Sequence, residues 1–158
     1  MIQTRPLSPP DLDPVLTIAA ASPEAASWSR AAYEQFLQDA YPGACLVAEL
    51  EVGTEASVVG FICFRVASDE AEVLNLAVIP SARRRGIASC LLTEATERSR
   101  QRGARRMFLE VRDTNQPAIL FYERHAFRIS GRRRGYYANP PADALVFARD
   151  LISNKPST

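Results

Sequence analysis

Two short runs in this chain carry residue types that chemistry can use. The first is Val78-Ile79-Pro80-Ser81-Ala82-Arg83-Arg84-Arg85-Gly86-Ile87-Ala88, with Ser89 next. A strand-like run ends at proline, three arginines follow, and a glycine opens an amphipathic stretch. A helix starting there exposes unpaired N–H groups and the positive end of its dipole. Small residues at Gly86 and Ala88 let a phosphate approach the backbone, and Arg83, Arg84 and Arg85 attract a polyanion. This is a cradle for the phosphates of a nucleotide-like cofactor, although it matches neither the P-loop pattern nor the full dinucleotide fingerprint. A solvated basic loop that merely starts a helix accounts for the same run equally well.

The second run is Phe108-Leu109-Glu110-Val111. A carboxylate inside an apolar strand is desolvated, and desolvation raises its basicity. The alternative is a strand glutamate that faces solvent or pairs with an arginine such as Arg112. Further on, Asn115 caps a helix on which Ile119 and Tyr122 share a face. Tyr122 reads either as a phenol that can give up a proton or as a core aromatic. Arg132-Arg133-Arg134 beside Tyr136-Tyr137 interleaves basic and aromatic residues, a combination that can bind RNA or simply form a solvated loop. His125, the single histidine, is expected to pack or cap at a helix end.

Composition narrows the function classes. The chain has 158 residues, 47% of them hydrophobic, with a net charge of +1. That suits one folded domain over 1–151 and a loose polar tail over 152–158. It gives no whole-molecule grip on nucleic acid or membrane. Cys45, Cys63 and Cys90 each sit in an apolar run, and no Cys-x-x-Cys pair exists. Buried free thiols in a reducing compartment are expected, rather than a zinc site, a disulfide frame or a Cys–His nucleophile. The N-terminus has no apolar signal-peptide core and no run reaches membrane-spanning length, so a cytoplasmic location is expected.

The elements that must position these residues follow from periodicity. Ile2–Arg5 reads as a strand, Asp11–Ala21 as a helix capped by Ser8 or Asp11, and Ser29 to about Ala40 as a second helix. Ala44–Leu50 and Val58–Val66 form a hairpin around a turn spanning 51–57, and Ala71–Ile79 is a third strand ended by Pro80. Gly86–Arg102 is the clearest helix, with Ile87, Leu91 and Ala95 on one face. Strand Arg106–Val111, the helix capped by Asn115, and strands Phe127–Arg132 and Ala144–Leu151 complete the chain, the last two enclosing an irregular loop with Pro140-Pro141. The order βααβββαβαββ implies an α/β or α+β sheet with helices on both faces. The step from 71 to 111 suits a right-handed parallel crossover.

Arg83-Arg84-Arg85-Gly86-Ile87-Ala88 resembles the Arg/Gln-x-x-Gly-x-Gly/Ala signature of the GNAT superfamily of N-acetyltransferases. The likeness extends through Leu74–Val78, Leu109–Asn115, Ala118–Glu123, Gly131–Tyr137 and Asp143-Ala144, and is strongest over 58–151. Within the superfamily the chain is most similar to the bacterial ribosomal-protein-alanine N-acetyltransferases, through Asn75–Val78, Glu110–Arg112 and Tyr136-Tyr137. Trp28-Ser29 matches that group's Pro-Trp-Ser lead-in to the second helix, with Ser27 in place of proline. Ala88 stands for the usual glycine, Ser89 for a frequent basic residue, and Phe147 for a common methionine.

The resemblance implies a seven-stranded, mixed and mainly antiparallel GNAT sheet, acetyl-CoA as cosubstrate and no metal. It implies transfer of an acetyl group to a primary amine, foremost a protein N-terminal α-amine such as that of a ribosomal protein. Small-molecule amines and lysine side chains are the alternatives. A monomer or weak dimer is expected, with no membrane partner and with nucleic acid disfavoured. A peptide α-amine has a pKa near ~8, so a base must take its proton at neutral pH. The resemblance gives Glu110 that role, through a water, and Tyr122 that of acid to the departing thiolate, by direct attack without an acetyl-enzyme. It assigns the pantetheine arm to the strand Leu76-Ala77-Val78, splayed from its neighbour, and to Asn115. The diphosphate goes to the stretch from Arg83 to Ser89, and the acceptor groove to Trp28, Tyr136 and Tyr137.

Overall fold

Apolar residues alternating along the chain between residues 43 and 78 fold it into three successive antiparallel strands around which the rest is built. The computed structural model describes residues 1–152. The tail expected over 152–158 lies, beyond Ile152, outside the described residues. The elements are β1 (Ile2–Pro6), α1 (Leu12–Ala20), α2 (Arg30–Glu34), β2 (Gly43–Val52), β3 (Glu55–Ala67), β4 (Glu70–Val78), α3 (Ile87–Gln101), β5 (Arg106–Arg112), α4 (Gln116–Arg124), β6 (Arg128–Ala138) and β7 (Pro141–Asp150). The seven strands form one sheet in the order β1-β2-β3-β4-β5-β7-β6. Only β4 and β5 are parallel, joined by the α3 crossover. The mixed, mainly antiparallel sheet with helices on both faces is as expected.

Each face buries its own cluster. On one, Ile87, Leu91, Leu92 and Ala95 of α3 and Ile119 and Tyr122 of α4 pack on Ile62, Phe64, Leu109 and Phe147. On the other, Val15 and Ile18 of α1 and Tyr33 of α2 pack on Val47, Phe61 and Ala77. Strand alternation puts Glu110 and Arg112 on the face opposite Leu109 and Val111, where α1 and α2 cover β2 to β4 but, among the described residues, no helix lies over β5, β7 and β6.

Several expectations are corrected. The β2–β3 turn is only Gly53-Thr54, with Gly53 at φ 66°, so both strands are longer than the expected 51–57 turn allowed. The second helix gives way to a 3-10 turn over Gln35–Leu37 instead of reaching Ala40. Residues 133–138 and 141–143, expected in an irregular loop, continue β6 and β7, so the Arg–Tyr segment lies on an edge strand. Cys45 and Cys63 are buried opposite one another on β2 and β3, as free thiols, whereas Cys90 is exposed on α3. Its run Cys90-Leu91-Leu92 is apolar, but only Leu91 and Leu92 face the sheet.

Candidate active site

The parallel pairing of β4 and β5 covers only Glu70–Glu72 with Arg106–Phe108. Beyond Glu72 the two strands share no register, and Leu74–Val78 has a free edge. β4 is bulged at this point, since its register against β3 slips between Cys63–Asn75 and Phe64–Val73. The alternation of backbone groups can be followed along the free edge. The N–H of Ile79 donates to Val59 on β3, so the Val78 carbonyl of the same peptide points away from β3. The Ala77 carbonyl lies beside Gly60 of β3, where an added Cβ would meet it at 3.1 Å. Leu76 and Val78 therefore turn their backbone groups into the gap, while those of Ala77 are committed to β3. Of the three expected contacts, two face the opening.

Arg83 differs from the expectation more sharply. Its Nε donates to the Val78 carbonyl at 3.2 Å, and its second terminal nitrogen donates to the Ser22 hydroxyl at 3.4 Å. The side chain is thus a brace between the loop, the end of β4 and the end of α1. Arg84 and Arg85 are exposed and make no ion pair among the described residues. The loop is wound through two left-handed residues, Arg84 at φ 64° and Gly86 at φ 78°. A non-glycine residue in that region costs about 1 kcal/mol or more and clusters at binding loops. Gly86 is the N-cap of α3, and the first intrahelical bond runs from Cys90 N–H to its carbonyl at 3.0 Å. The N–H groups of Ile87, Ala88 and Ser89 are left without partners among the described residues, as a helix start dictates.

This geometry fits an acyl-CoA. An added Cβ at Gly86 meets nothing within 4 Å, so the mouth of α3 is open to a diphosphate. Free strand edge and free helix N–H groups lie on one continuous stretch of chain. Ser89 shares its hydroxyl with His125, Oγ to Nε2 at 2.9 Å, so it is already engaged. Burial, with Arg149 and Arg124 nearby, holds His125 below the usual imidazole range, and the neutral ring can accept that hydroxyl proton. His125 is the C-cap of α4 and packs on Phe121 at 4.7 Å, a structural post.

Glu110 lies two residues past Phe108, the last residue of β5 paired with β4, and stays paired with Val146 of β7; its side chain is 21% exposed. The arginine pairing that the sequence left open is present, but with Arg133 rather than Arg112. Arg133 Nε on β6 lies 2.7 Å from its Oε1. Arg112, the partner considered from the sequence, stacks on the Tyr137 ring at 4.4 Å and donates to the Pro140 carbonyl at 2.6 Å. The Glu110 carboxylate raises the Tyr136 phenol above its ordinary range, and burial followed by Glu110 does the same to Tyr137. The two rings meet edge to face at 5.1 Å, with Tyr136 53% exposed.

Tyr122 is buried between Phe127 at 5.6 Å and Phe147 at 6.5 Å, and burial pushes its phenol upward, toward the protonated form. Its hydroxyl has no hydrogen bond among the described residues. Asn115 caps α4 as expected, accepting from Ala118 N–H at 3.2 Å. Trp28 belongs to an aromatic stack, parallel to Phe36 at 6.0 Å and tilted on Tyr33 at 5.2 Å. Arg132 bridges Asp113 and Asp143, and Asp143 also accepts from Gly135 N–H, which fixes the kink in β6.

Asn75 carried part of the resemblance but was given no role of its own. It is 5% exposed, accepts from Ala26 N–H, and donates to the Ala26 carbonyl and the Tyr33 hydroxyl. It therefore ties the segment carrying Trp28 to the free half of β4. The signal was a lone amide in the apolar run Val73-Leu74-Asn75-Leu76-Ala77-Val78, since a buried amide must find partners. Among the described residues no group of His, Cys, Asp or Glu is placed to hold a metal ion, and no helix is long and apolar enough to cross a membrane.

Comparison with known proteins agrees with the geometry. Residues 12–127 match the Acetyltransferase (GNAT) family. The ribosomal protein bS18-alanine N-acetyltransferase of Salmonella typhimurium is 35% identical over 101 residues, which is 63% of this chain and 68% of that protein. The crystal structure of the ribosomal-protein-S18-alanine N-acetyltransferase from Escherichia coli superimposes with a TM-score of 0.80 at 25% identity, covering 100% of this chain and 99% of that one. Ard1 from Thermoplasma volcanium gives 0.82 at 28% identity, over 96% of this chain and 99% of that one. The chain belongs to the GNAT acetyltransferase family and is an acetyl-CoA-dependent N-acetyltransferase.

Proposed function

We propose that this enzyme acetylates the N-terminal α-amine of a protein, with an alanine-starting ribosomal protein as the leading acceptor. The observation that carries the reading is the opening between β4 and β5, which begins at Glu72 and Phe108 and has Glu110 on its uncovered flank. The relatives' names add the acceptor class: one acts on the alanine of a ribosomal protein.

Acetyl-CoA supplies an activated acyl thioester. The backbone groups of Leu76 and the N–H of Val78, whose carbonyl Arg83 already holds, line the gap for its pantetheine arm, and the N–H groups of Ile87 to Ser89 receive its diphosphate, with Arg84 and Arg85 adding positive charge. In this reading a backbone N–H of the strand stabilises negative charge on the reacting carbonyl oxygen. Glu110 takes the proton of the acceptor ammonium, directly or through a water, and so frees the amine lone pair. Tyr122, kept protonated by burial, gives its proton to the departing sulfur. Trp28, Tyr136 and Tyr137 flank the acceptor, and Asn75 holds the Trp28 segment in place.

The test is acetylation of alanine-starting peptides against a panel of small amines and lysine-containing, N-terminally blocked peptides, with the modified site located by mass spectrometry. The reading expects label on the α-amine of the free peptides. Label on lysine or on small amines alone would replace it.

A further inference from the structure

The ion pair between Glu110 and Arg133 has a consequence for how the acceptor enters. We propose that Arg133 is a resident stand-in for the acceptor's ammonium group, and that the acceptor displaces it from Glu110 on binding. The inference rests on Glu110 being the group that meets the acceptor amine.

The arginines near Glu110 are held very differently. Arg112 is fixed by the Tyr137 ring and by the Pro140 carbonyl. Arg132 is fixed by two carboxylates, Asp113 and Asp143. Among the described residues Arg133 has the Glu110 carboxylate at 2.7 Å and one further polar or aromatic contact, the Tyr136 ring at 5.9 Å. Its side chain is 60% exposed against 21% for Glu110. The backbone beneath it is also the least regular of β6: the register with β7 breaks between Arg133 and Tyr137, and Gly135 sits at φ 62°. β6 is the outer strand of the sheet, so no further strand backs this segment.

Guanidinium and ammonium compete for a carboxylate in the same way, by charge-assisted N–H···O bonds. An acceptor α-amine with a pKa near ~8 arrives at neutral pH mostly as the cation. To hand its proton to Glu110, that cation competes with Arg133 for the carboxylate. An ion pair this exposed is worth little and breaks at small cost. The displaced guanidinium has a face to rest on in Tyr136. Between turnovers Arg133 holds the Glu110 carboxylate in place on an uncovered sheet face, and then yields to a ligand of the same charge.

The experiment is calorimetric titration of an alanine-starting hexapeptide amide into the CoA-bound protein, for the parent, Arg133→Gln and Arg133→Lys, at pH 6.5 and pH 9. A stand-in predicts that Arg133→Gln binds the peptide about two- to fivefold tighter at pH 6.5. The gain should shrink toward none at pH 9, where the amine is neutral, and Arg133→Lys should stay close to the parent. The N-acetylated peptide should bind parent and variants alike. Unchanged or weaker binding by Arg133→Gln at pH 6.5, with an unaltered melting temperature, would make Arg133 a mere support for Glu110 and overturn the proposal. Parental turnover in Glu110→Gln would instead remove Glu110 as the base. A peptide neither bound nor acetylated by the parent would remove the acceptor assignment. Either result would take this inference with it.

Discussion

Asn75 on β4 and Ala26 ahead of α2 hold each other by a reciprocal pair of hydrogen bonds, Ala26 N–H to Oδ1 at 3.2 Å and Nδ2 to the Ala26 carbonyl at 3.3 Å. A side-chain amide here does what a neighbouring strand would do, and it does so where β4 has lost β5. Asn75→Ala leaves the Ala26 groups and the Tyr33 hydroxyl short of partners. It should cost about 2 kcal/mol of stability. It should also raise the acceptor KM about fivefold, equivalent to about 1 kcal/mol of lost positioning, with little change in the acetyl-CoA KM. Steady-state kinetics beside thermal melts would show it. An unaltered acceptor KM would confine Asn75 to the core.

Glu110→Gln keeps the shape of the side chain and removes its basicity. Turnover should fall about 10²- to 10⁴-fold near neutral pH, while CoA binds as before. Because free amine becomes abundant above its pKa of ~8, the deficit should narrow as pH rises toward 9. A pH–rate profile with the same ratio of parent to variant at every pH would exclude the base role.

Tyr122→Phe separates acid from packing. The hydroxyl has no hydrogen bond among the described residues, while the ring packs on Phe127 and Phe147. Loss of the oxygen should therefore shift stability by no more than about 0.5 kcal/mol, yet slow turnover at least about tenfold. A fully active variant would reduce Tyr122 to a core aromatic.

Gly86 can be probed by size. At φ 78° any side chain is strained, by about 1–2 kcal/mol. The space around it is otherwise open within the protein. Gly86→Ala and Gly86→Val should then lose similar stability, but valine should raise the acetyl-CoA KM well beyond alanine by crowding the diphosphate. Equal KM values for the two variants would place the diphosphate elsewhere.

Asp11 gives a pH signature of the fold. Hydrogen bonds from Arg5, then from Ser8, hold its carboxyl below the ordinary range. A lowered folded value means the stabilisation is complete above the unfolded pKa of ~3.9 and disappears as pH falls through the lower, folded value. Asp11→Asn should be less stable than the parent at pH 7 by roughly 2 kcal/mol, and chemical denaturation should show the gap closing below about pH 4. A gap that persisted at pH 2 would contradict this assignment.

What the sequence made legible was local. Pro80, the arginines and Gly86 announce a strand end, a loop and a helix start within eleven residues. Ile87, Leu91 and Ala95 then mark the buried face of α3. The cap at Asn115 was equally plain. The parts that stayed hidden depend on partners far along the chain. The free edge of β4 exists because its register with β5 stops at Glu72, which no run of residues records. Arg133 reaches Glu110 from an edge strand whose polar residues show no alternation, so Arg133–Tyr137 looked like loop. Arg112 was the nearer candidate by sequence, yet Tyr137 and Pro140 claim it. Arg83 looked like one of three equivalent charges, and only the fold shows it bracing Val78 and Ser22.

We propose above that one opening in the sheet brings the donor thioester and an acceptor amine together beside Glu110. A crystal structure of the protein with a CoA–alanyl-peptide bisubstrate analogue tests it most directly. Diphosphate is expected on the N–H groups of Ile87 to Ser89, the pantetheine arm along Leu76 and Val78, and the peptide nitrogen within reach of Glu110, directly or through one water. An analogue bound away from the β4–β5 gap, or a Glu110 carboxylate still closed on Arg133 and remote from that nitrogen, would contradict it.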